Sequence, residues 1–462
     1  MKLSFAFALL LVVSCAGVSF AQSKKQLQVE IPPVWTAAKG LTSETAQLKE
    51  WWRNFRDPQL ETLVSQALAT NADLRIAAAR VREVRALRGA AKTARYPTVD
   101  QTGVVAGHRT ILQMPDSSLA VEHGLFQAGF DANWELDFFG GVSNSVKAAT
   151  AEVAVAEESQ RDVMVTVVAE VARNYIALRG FQRQLAVTRS NIDTQRDTRD
   201  LTAVRARAGL ATDLDVARAE AQLASTEAVV PELEALITNT SNRLDVLLGR
   251  TNGVLLAELE KTQPIPAASF ETPIGLPSEL LRRRPDIRRA EAAILVESAK
   301  LGIARSEMYP KLELSGLLGR TASSTGGLTL GLGNFFFGGV GVRLPIFNSG
   351  RIRSNIRAQD ARLDQAILQY EDTVRQAFAE VETSLTSYER EREQRAKLQQ
   401  AFTSNGRAVE LAQELYRAGL SDFLSVLEAE EELYQSEHEL AKSEARVSTN
   451  LVALYKALGG GW

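Results

Sequence analysis

Cysteine and histidine are nearly absent. The 462 residues contain one cysteine, Cys15, and three histidines, His108, His123 and His438. If Cys15 is not lipidated, the mature chain has no thiol, which excludes disulfides and thiolate metal sites. The histidines are scattered, so none makes a ligand pair at helical spacing. No Gly-x4-Gly-Lys-Ser/Thr string occurs, so the signature of a phosphate-binding loop is missing. The net charge of −3 is too mild to imply a nucleic-acid partner. No catalytic residue, metal or cofactor is therefore expected, and the chain does not read as an enzyme. Beyond the N-terminus there is no run of about 18 apolar residues, which argues against a spanning helix. A membrane β-barrel survives all of these exclusions, because its apolar residues alternate with polar ones.

The N-terminus reads as a secretory signal over residues 1–21. Met1-Lys2 gives a basic start, Leu3–Val13 an apolar core, and Ser19-Phe20-Ala21 a small-residue cleavage site before Gln22. Val12-Val13-Ser14-Cys15 also resembles a lipobox, which would leave Cys15 lipidated and end the signal at residue 14. Residues 22–59, with Pro32 and Pro33, read as an extended arm.

Phe126–Phe139 is the most informative stretch. Phe126, Ala128, Phe130, Ala132, Trp134, Leu136 and Phe138 alternate with Gln127, Gly129, Asp131, Asn133, Glu135 and Asp137. Thirteen alternating residues span roughly 43 Å at about 3.3 Å each, enough to cross a tilted barrel wall. Phe126, Phe130 and Trp134 would face lipid, and Asp131 and Glu135 a wet lumen. A strand in a soluble sandwich alternates too, but usually runs only about 5–6 residues. A weaker strand pattern lies at Val99–Ala106, and polar Arg109–Gly124 reads as an exposed loop.

Helical periodicity begins at Leu60, and Asp73 is a candidate cap for a second short helix ending before Tyr96-Pro97. A long helix follows from about 142 to 208, on the order of 100 Å at about 1.5 Å per residue. Gly209 interrupts it, and Asp213 restarts a helix running to Leu248-Gly249. Residues 250–275, with Pro264, Pro266 and Pro273, read as a linker.

The chain then repeats. Asp73-Leu74 and Tyr96-Pro97 recur 213 residues later as Asp286-Ile287 and Tyr309-Pro310. Glu170-Val171, Ala208-Gly209-Leu210 and Leu248-Gly249 recur 210 residues later as Glu380-Val381, Ala418-Gly419-Leu420 and Leu458-Gly459. The expected organisation is a repeat over 60–249 and a second over 276–462, each with short helices, two strands and a long helical hairpin. Strands are expected at Lys311–Thr321 and Asn334–Phe347, around a loop at Ala322–Gly333. Four strands cannot close a barrel, and an open sheet would leave edge amides unpaired in lipid, so several chains must share one barrel. Three chains give twelve strands.

Several strings, in order on this duplicated chain, resemble the outer membrane factors, the TolC/OprM-like channel-tunnels, nearest their OprM-like multidrug-efflux branch. They are Trp51-Trp52-Arg53-Asn54-Phe55, Trp134-Glu135-Leu136-Asp137-Phe138-Phe139-Gly140, Arg284-Pro285-Asp286-Ile287-Arg288-Arg289-Ala290-Glu291, Leu344-Pro345-Ile346-Phe347 and Leu454-Tyr455-Lys456-Ala457-Leu458-Gly459. The resemblance implies an α plus membrane β-barrel fold. A homotrimeric twelve-stranded barrel in the outer membrane would be continuous with a helical barrel in the periplasm. It implies passive efflux of drugs and toxic compounds, with a periplasmic adaptor and a proton-driven inner-membrane pump as partners.

It also places the turns after Gly209 and Gly419 at the periplasmic tips. Gly209, Leu210, Thr212, Gly419 and Leu420 would dock the adaptor. Asp422, and more weakly Asp213 and Asp215, would ring the gate. Locally the same residues read as helix ends, with Thr212, Asp213 and Ser421 as caps. Two alternatives remain open at this point: a duct for protein secretion, and a non-channel periplasmic scaffold.

Overall fold

Two helices of 67 residues each dominate the fold, and their ends fall 210 residues apart. A computed structural model describes residues 48–259, 261–268, 277–325 and 328–462. The expected signal over 1–21, Cys15 and arm residues 22–47 lie outside the described residues. The elements are α1 (Pro58–Thr70), α2 (Ala72–Thr93), β1 (Thr98–Met114), β2 (Ser117–Leu136), α3 (Gly141–Arg207), α4 (Asp213–Glu227) and α5 (Val229–Leu247). They continue as α6 (Val254–Glu258), α7 (Pro277–Arg283), α8 (Pro285–Ser306), β3 (Lys311–Thr325), β4 (Leu328–Arg343), α9 (Arg351–Arg417) and α10 (Phe423–Ala457). The long helices are α3 and α9, and α2 and α8 match at 22 residues each.

The core lies where the short helices meet the upper parts of the long ones. Asp57 starts α1 by accepting from the amides of Gln59 (2.9 Å) and Leu60 (3.0 Å), and Pro58 takes the first helical position. Helical spacing then buries Leu60, Leu63, Val64 and Ala67 on one face. Tyr175 of α3 donates its hydroxyl to Asp57 at 2.9 Å, which ties the cap to the long helix. Residues 51–55 of the expected extended arm instead form a 3-10 turn. Trp51 is buried and stacks on Tyr455 of α10, with ring centroids 5.1 Å apart. Such a pair contributes about 0.5–1.5 kcal/mol beyond the area it buries. The expected linker also carries structure. It contains α6, and Arg179 and Gln182 donate to the carbonyls of Lys261 (2.9 Å) and Leu259 (2.8 Å).

The same joint is built twice with different chemistry. Asn71, at the N-cap of α2, donates to the Leu247 carbonyl at the end of α5 at 2.9 Å. Arg284, at the N-cap of α8, donates to the Ala457 carbonyl at the end of α10 at 2.8 Å. Arg284 also clasps Asp286 through two hydrogen bonds (3.0 and 2.7 Å) and pairs with Glu380 of α9 at 2.7 Å. The expected Asp73 cap is replaced by Asn71, whose side chain accepts from the Leu74 amide at 3.1 Å. Asp73 sits in the first turn. The helix expected to run unbroken from Asp213 to Leu248 is split at Ala228, three residues before Pro231, which has no N–H to continue the ladder.

The strands form one antiparallel sheet in the order β1-β2-β3-β4. Arg109–Gly124, expected as a loop, is instead the far end of the β1–β2 hairpin. Its register runs unbroken from Thr98↔Asn133 to Met114↔Ser117 and leaves a turn of Pro115 and Asp116 alone. The Ala322–Gly333 stretch is likewise mostly strand, and β4 ends at Arg343 rather than Phe347. Strand β2 stops at Leu136, short of Phe138 and Phe139.

Candidate functional site

The two ends of the long helices are built alike. At the end of α3, Gly209 adopts φ +74°, its amide donates to Ala206, and the Leu210 amide donates to Arg205. At the end of α9, Gly419 adopts φ +73°, its amide donates to Tyr416, and the Leu420 amide donates to Leu415. Both are left-handed glycine stops that satisfy otherwise orphaned carbonyls. They leave Leu210 and Leu420 68% and 76% exposed at the extreme tips.

The returning helices restart with different caps. Thr212 and Asp215 form a reciprocal capping box, with the Thr212 amide donating to Asp215 at 3.0 Å and the Asp215 amide to Thr212 at 3.2 Å. Asp213, expected as a cap, is the first helical residue and is exposed. On the second tip the cap is Asp422, not Ser421. Its carboxylate accepts from the Ser425 hydroxyl (2.6 Å) and the Ser425 amide (3.0 Å). The Ser425 hydroxyl and amide hold the Asp422 carboxyl below the usual range, and the positive charge of Arg218 on α4 adds to this. Asp422 is thus an exposed, ionised cap. Arg218, from the other hairpin, is near enough for its charge to reach Asp422.

Sequence reasoning missed three residues here. Arg218 lies six residues after the first cap, Thr212. Arg205, in the last turn of α3, places its guanidinium 4.3 Å from the centre of the Tyr416 ring on α9, and Tyr416 in turn packs against Phe423 at 5.8 Å. Only the aromatic in the final turn of α9 hints at this contact in the sequence. The partner helix is more than 200 residues away.

At the other end of the molecule, the register sorts the sheet into two faces. Phe130 lies across from Leu318, which lies across from Phe336. Phe126 is flanked by Val105 and Ala322, and Trp134 by Leu314. Phe126, Phe130, Leu318 and Phe336 are all exposed. Trp134 is part-buried and donates its indole N–H to the Arg95 carbonyl at 3.1 Å. The opposite face carries Asp131 across from Asp100, Asn133 across from Ser315 and Thr98, and Glu135 paired with Lys311 at 3.6 Å. Among the described residues no group of three or more His, Cys, Asp or Glu is arranged to hold a metal, and no helix is long and apolar enough to cross a membrane.

A four-stranded sheet with one apolar exposed face, joined to helices on the order of 100 Å long, narrows the choice to one architecture. The profile of the outer membrane efflux protein family matches residues 63–250 and 276–460. The chain belongs to the outer membrane efflux protein family. It is similar to the pyoverdine export outer membrane protein OpmQ of Pseudomonas aeruginosa, 31% identical over 93% of this chain and 91% of the relative. It is also similar to the solvent efflux pump outer membrane protein SrpC of Pseudomonas putida, 29% identical over 99% and 97%. The solved structure of the outer-membrane channel OprN superposes with a TM-score of 0.86 at 33% identity, covering 95% of this chain and 98% of that one. The efflux channel resides in the outer membrane and extends into the periplasm. Three chains contribute four strands each to a twelve-stranded barrel, and the channel works with a periplasmic adaptor and an inner-membrane pump. It is the outer-membrane conduit of a tripartite efflux system.

Proposed function

We propose that the Asp422 tips form a cation-binding constriction at the periplasmic mouth, and that the channel conducts small molecules passively with no chemistry of its own. The observation that carries this is an exposed carboxylate, hydrogen-bonded to Ser425, in the turn that follows a 67-residue helix. Threefold symmetry brings three such carboxylates toward one axis. Converging carboxylates repel, so the closed mouth depends on cations or hydrogen bonds to offset that repulsion. Asp213 forms a second, outer set of charges, and Asp215, already held by Thr212, contributes least. Arg218 moderates the ring. The exposed Gly209-Leu210 and Gly419-Leu420 turns, with Thr212, are the docking surface for the adaptor, and the pump is proton-driven. At the sheet, the face bearing Phe126, Phe130 and Trp134 meets lipid and the Asp131 face lines the lumen. The repeats run over 60–249 and 276–462.

Asp422 is also a helix cap, so the test must separate charge from capping. Asp422→Asn keeps the capping oxygen and removes the charge. In planar bilayers, block by divalent or trivalent cations added from the periplasmic side is expected to weaken by about tenfold, equivalent to about 1.4 kcal/mol of ion binding. Arg218→Gln is expected to strengthen the same block. Undiminished block with Asn at 422 would sink the gate assignment and leave the channel assignment standing.

A further inference from the structure

The strand register creates a pairing that the sequence hides. His108 of β1 and His123 of β2 are 15 positions apart along the chain but are direct cross-strand partners. Their imidazole rings lie 5.9 Å apart, centre to centre, with 25° between their planes. By strand alternation both sit on the polar face, the face of Asp131 and Asn133. His108 Nε2 is 2.6 Å from the Thr110 hydroxyl, and His123 Nδ1 is 3.3 Å from the Thr325 hydroxyl. With these nitrogens donating to the two hydroxyls, a tautomer assigned from the hydrogen-bond network, Nδ1 of His108 and Nε2 of His123 keep free lone pairs.

We propose that His108 and His123 form a two-ligand site for a Cu2+-class divalent transition-metal ion at the outer end of the sheet. Neutral imidazole is a preferred donor for Cu2+, Ni2+ and Zn2+, with Cu2+ bound most tightly in the divalent series. Metal–nitrogen bonds of about 2.0–2.1 Å require the two nitrogens to approach to roughly 3 Å. Side-chain rotation from the stacked arrangement supplies that approach, because His108 is exposed and His123 only half-buried. Thr110 and Thr325 play the part outer partners play at metal sites, holding the second ring nitrogen and fixing the tautomer. The nearest charges along these strands, Arg109 and Glu122, point by alternation to the other face, where they lie 3.9 Å from each other. On the histidine face of the described strands the cations Lys311 and Arg343 lie at the opposite end of the sheet, where Lys311 pairs with Glu135. Two protein ligands leave the remaining positions to water, which makes the site open and reversible. With the polar face lining the lumen, as proposed above, three such sites ring the external mouth, and bound ions add positive charge there.

The test uses the intact trimer in detergent. Cu2+ titrated into it is expected to give one nitrogen-ligated ion per chain by electron paramagnetic resonance. His108→Asn and His123→Asn are each expected to weaken that ion by at least about tenfold, about 1.4 kcal/mol of binding, while His438→Gln changes nothing. Mg2+ and Ca2+ in excess are expected not to displace it, since they prefer oxygen ligands. In the unsubstituted protein, Cu2+ is expected to shield His108 and His123 from diethyl pyrocarbonate, a readout that needs no variant to assemble. Unprotected histidines, or a double variant that binds Cu2+ as tightly as the parent, overturn the proposal.

Discussion

Phe130→Arg is expected to remove the efflux channel from the outer membrane, and Asp131→Arg, one residue along, is expected to leave it there. Phe130 shares its cross-strand row with Leu318 and Phe336, which are 61% and 86% exposed, so nothing in the chain itself covers this row. An arginine on the lipid side of a barrel costs about 2–4 kcal/mol near the midplane, falling to about 0–1 at the interfaces. A trimer incurs that cost three times. Asp131 lies on the other face, opposite Asp100, a like-charge pair that costs stability. Arginine at 131 turns this into an opposite-charge pair and makes the lumen less cation-preferring. The measurement is the amount of folded trimer in the outer-membrane fraction, with single-channel selectivity for the surviving variant. Equal assembly of the two variants would refute the assignment of the Phe130 face to lipid.

Asp286→Ala is expected to produce the largest loss of stability in the helical region. Arg284 is only 9% exposed, and it is held by Asp286, Glu380 and the Ala457 carbonyl at the junction of α8, α9 and α10. Removing the bidentate partner leaves a buried guanidinium short of its main counter-charge, which costs about 3–5 kcal/mol. Burial pushes the Asp286 carboxyl up, but the hydrogen bonds and charge of Arg284 outweigh it and hold the group below the usual carboxylate range. The sign of the pH effect follows. A depressed carboxyl contributes stability that is fully present above its unfolded value of about 3.9 and is lost as pH falls through the folded value. The detergent-solubilised parent is therefore expected to keep its thermal midpoint down to about pH 4 and to lose it below. Asp286→Asn flattens that acid limb. A midpoint for Asp286→Ala within a degree of the parent would show that Glu380 and the Ala457 carbonyl hold Arg284 without Asp286.

The elements that local chemistry dictates were legible in the sequence. The helix stops at Gly209 and Gly419 follow from the need for a left-handed residue, and the 210-residue offset fixed the second tip once the first was seen. Phe126–Leu136 announced a strand because one of its faces is apolar. Arg109–Gly124 did not, because that half of the hairpin is accessible on both faces and no solvent contrast imposes alternation there. For the cap of α2 the sequence offers Asp73, an equally good capping type, and only the contact of Asn71 with the Leu247 carbonyl decides for the position two residues earlier. Arg218 beside Asp422, Arg205 over Tyr416 and His108 against His123 were invisible for one shared reason. Each pair is made by how helices or strands are set side by side, and neither partner's neighbours in sequence carry any trace of the other.

The two-residue turn at Pro115-Asp116 bears on what the cell shows to its surroundings. Strands of 17 and 20 residues exceed the about 9–11 needed to cross the bilayer. The surplus continues outward as paired sheet and ends in a tight bend, not in a long loop. An antibody or phage approaching this hairpin from outside meets a hydrogen-bonded ladder and a single proline-aspartate corner, with little mobile chain to grasp. The same corner is where the chain can be opened without breaking a ladder bond. A short epitope inserted between Pro115 and Asp116 is expected to label intact cells while the trimer still assembles, and staining only after permeabilisation would place that bend on the inner side.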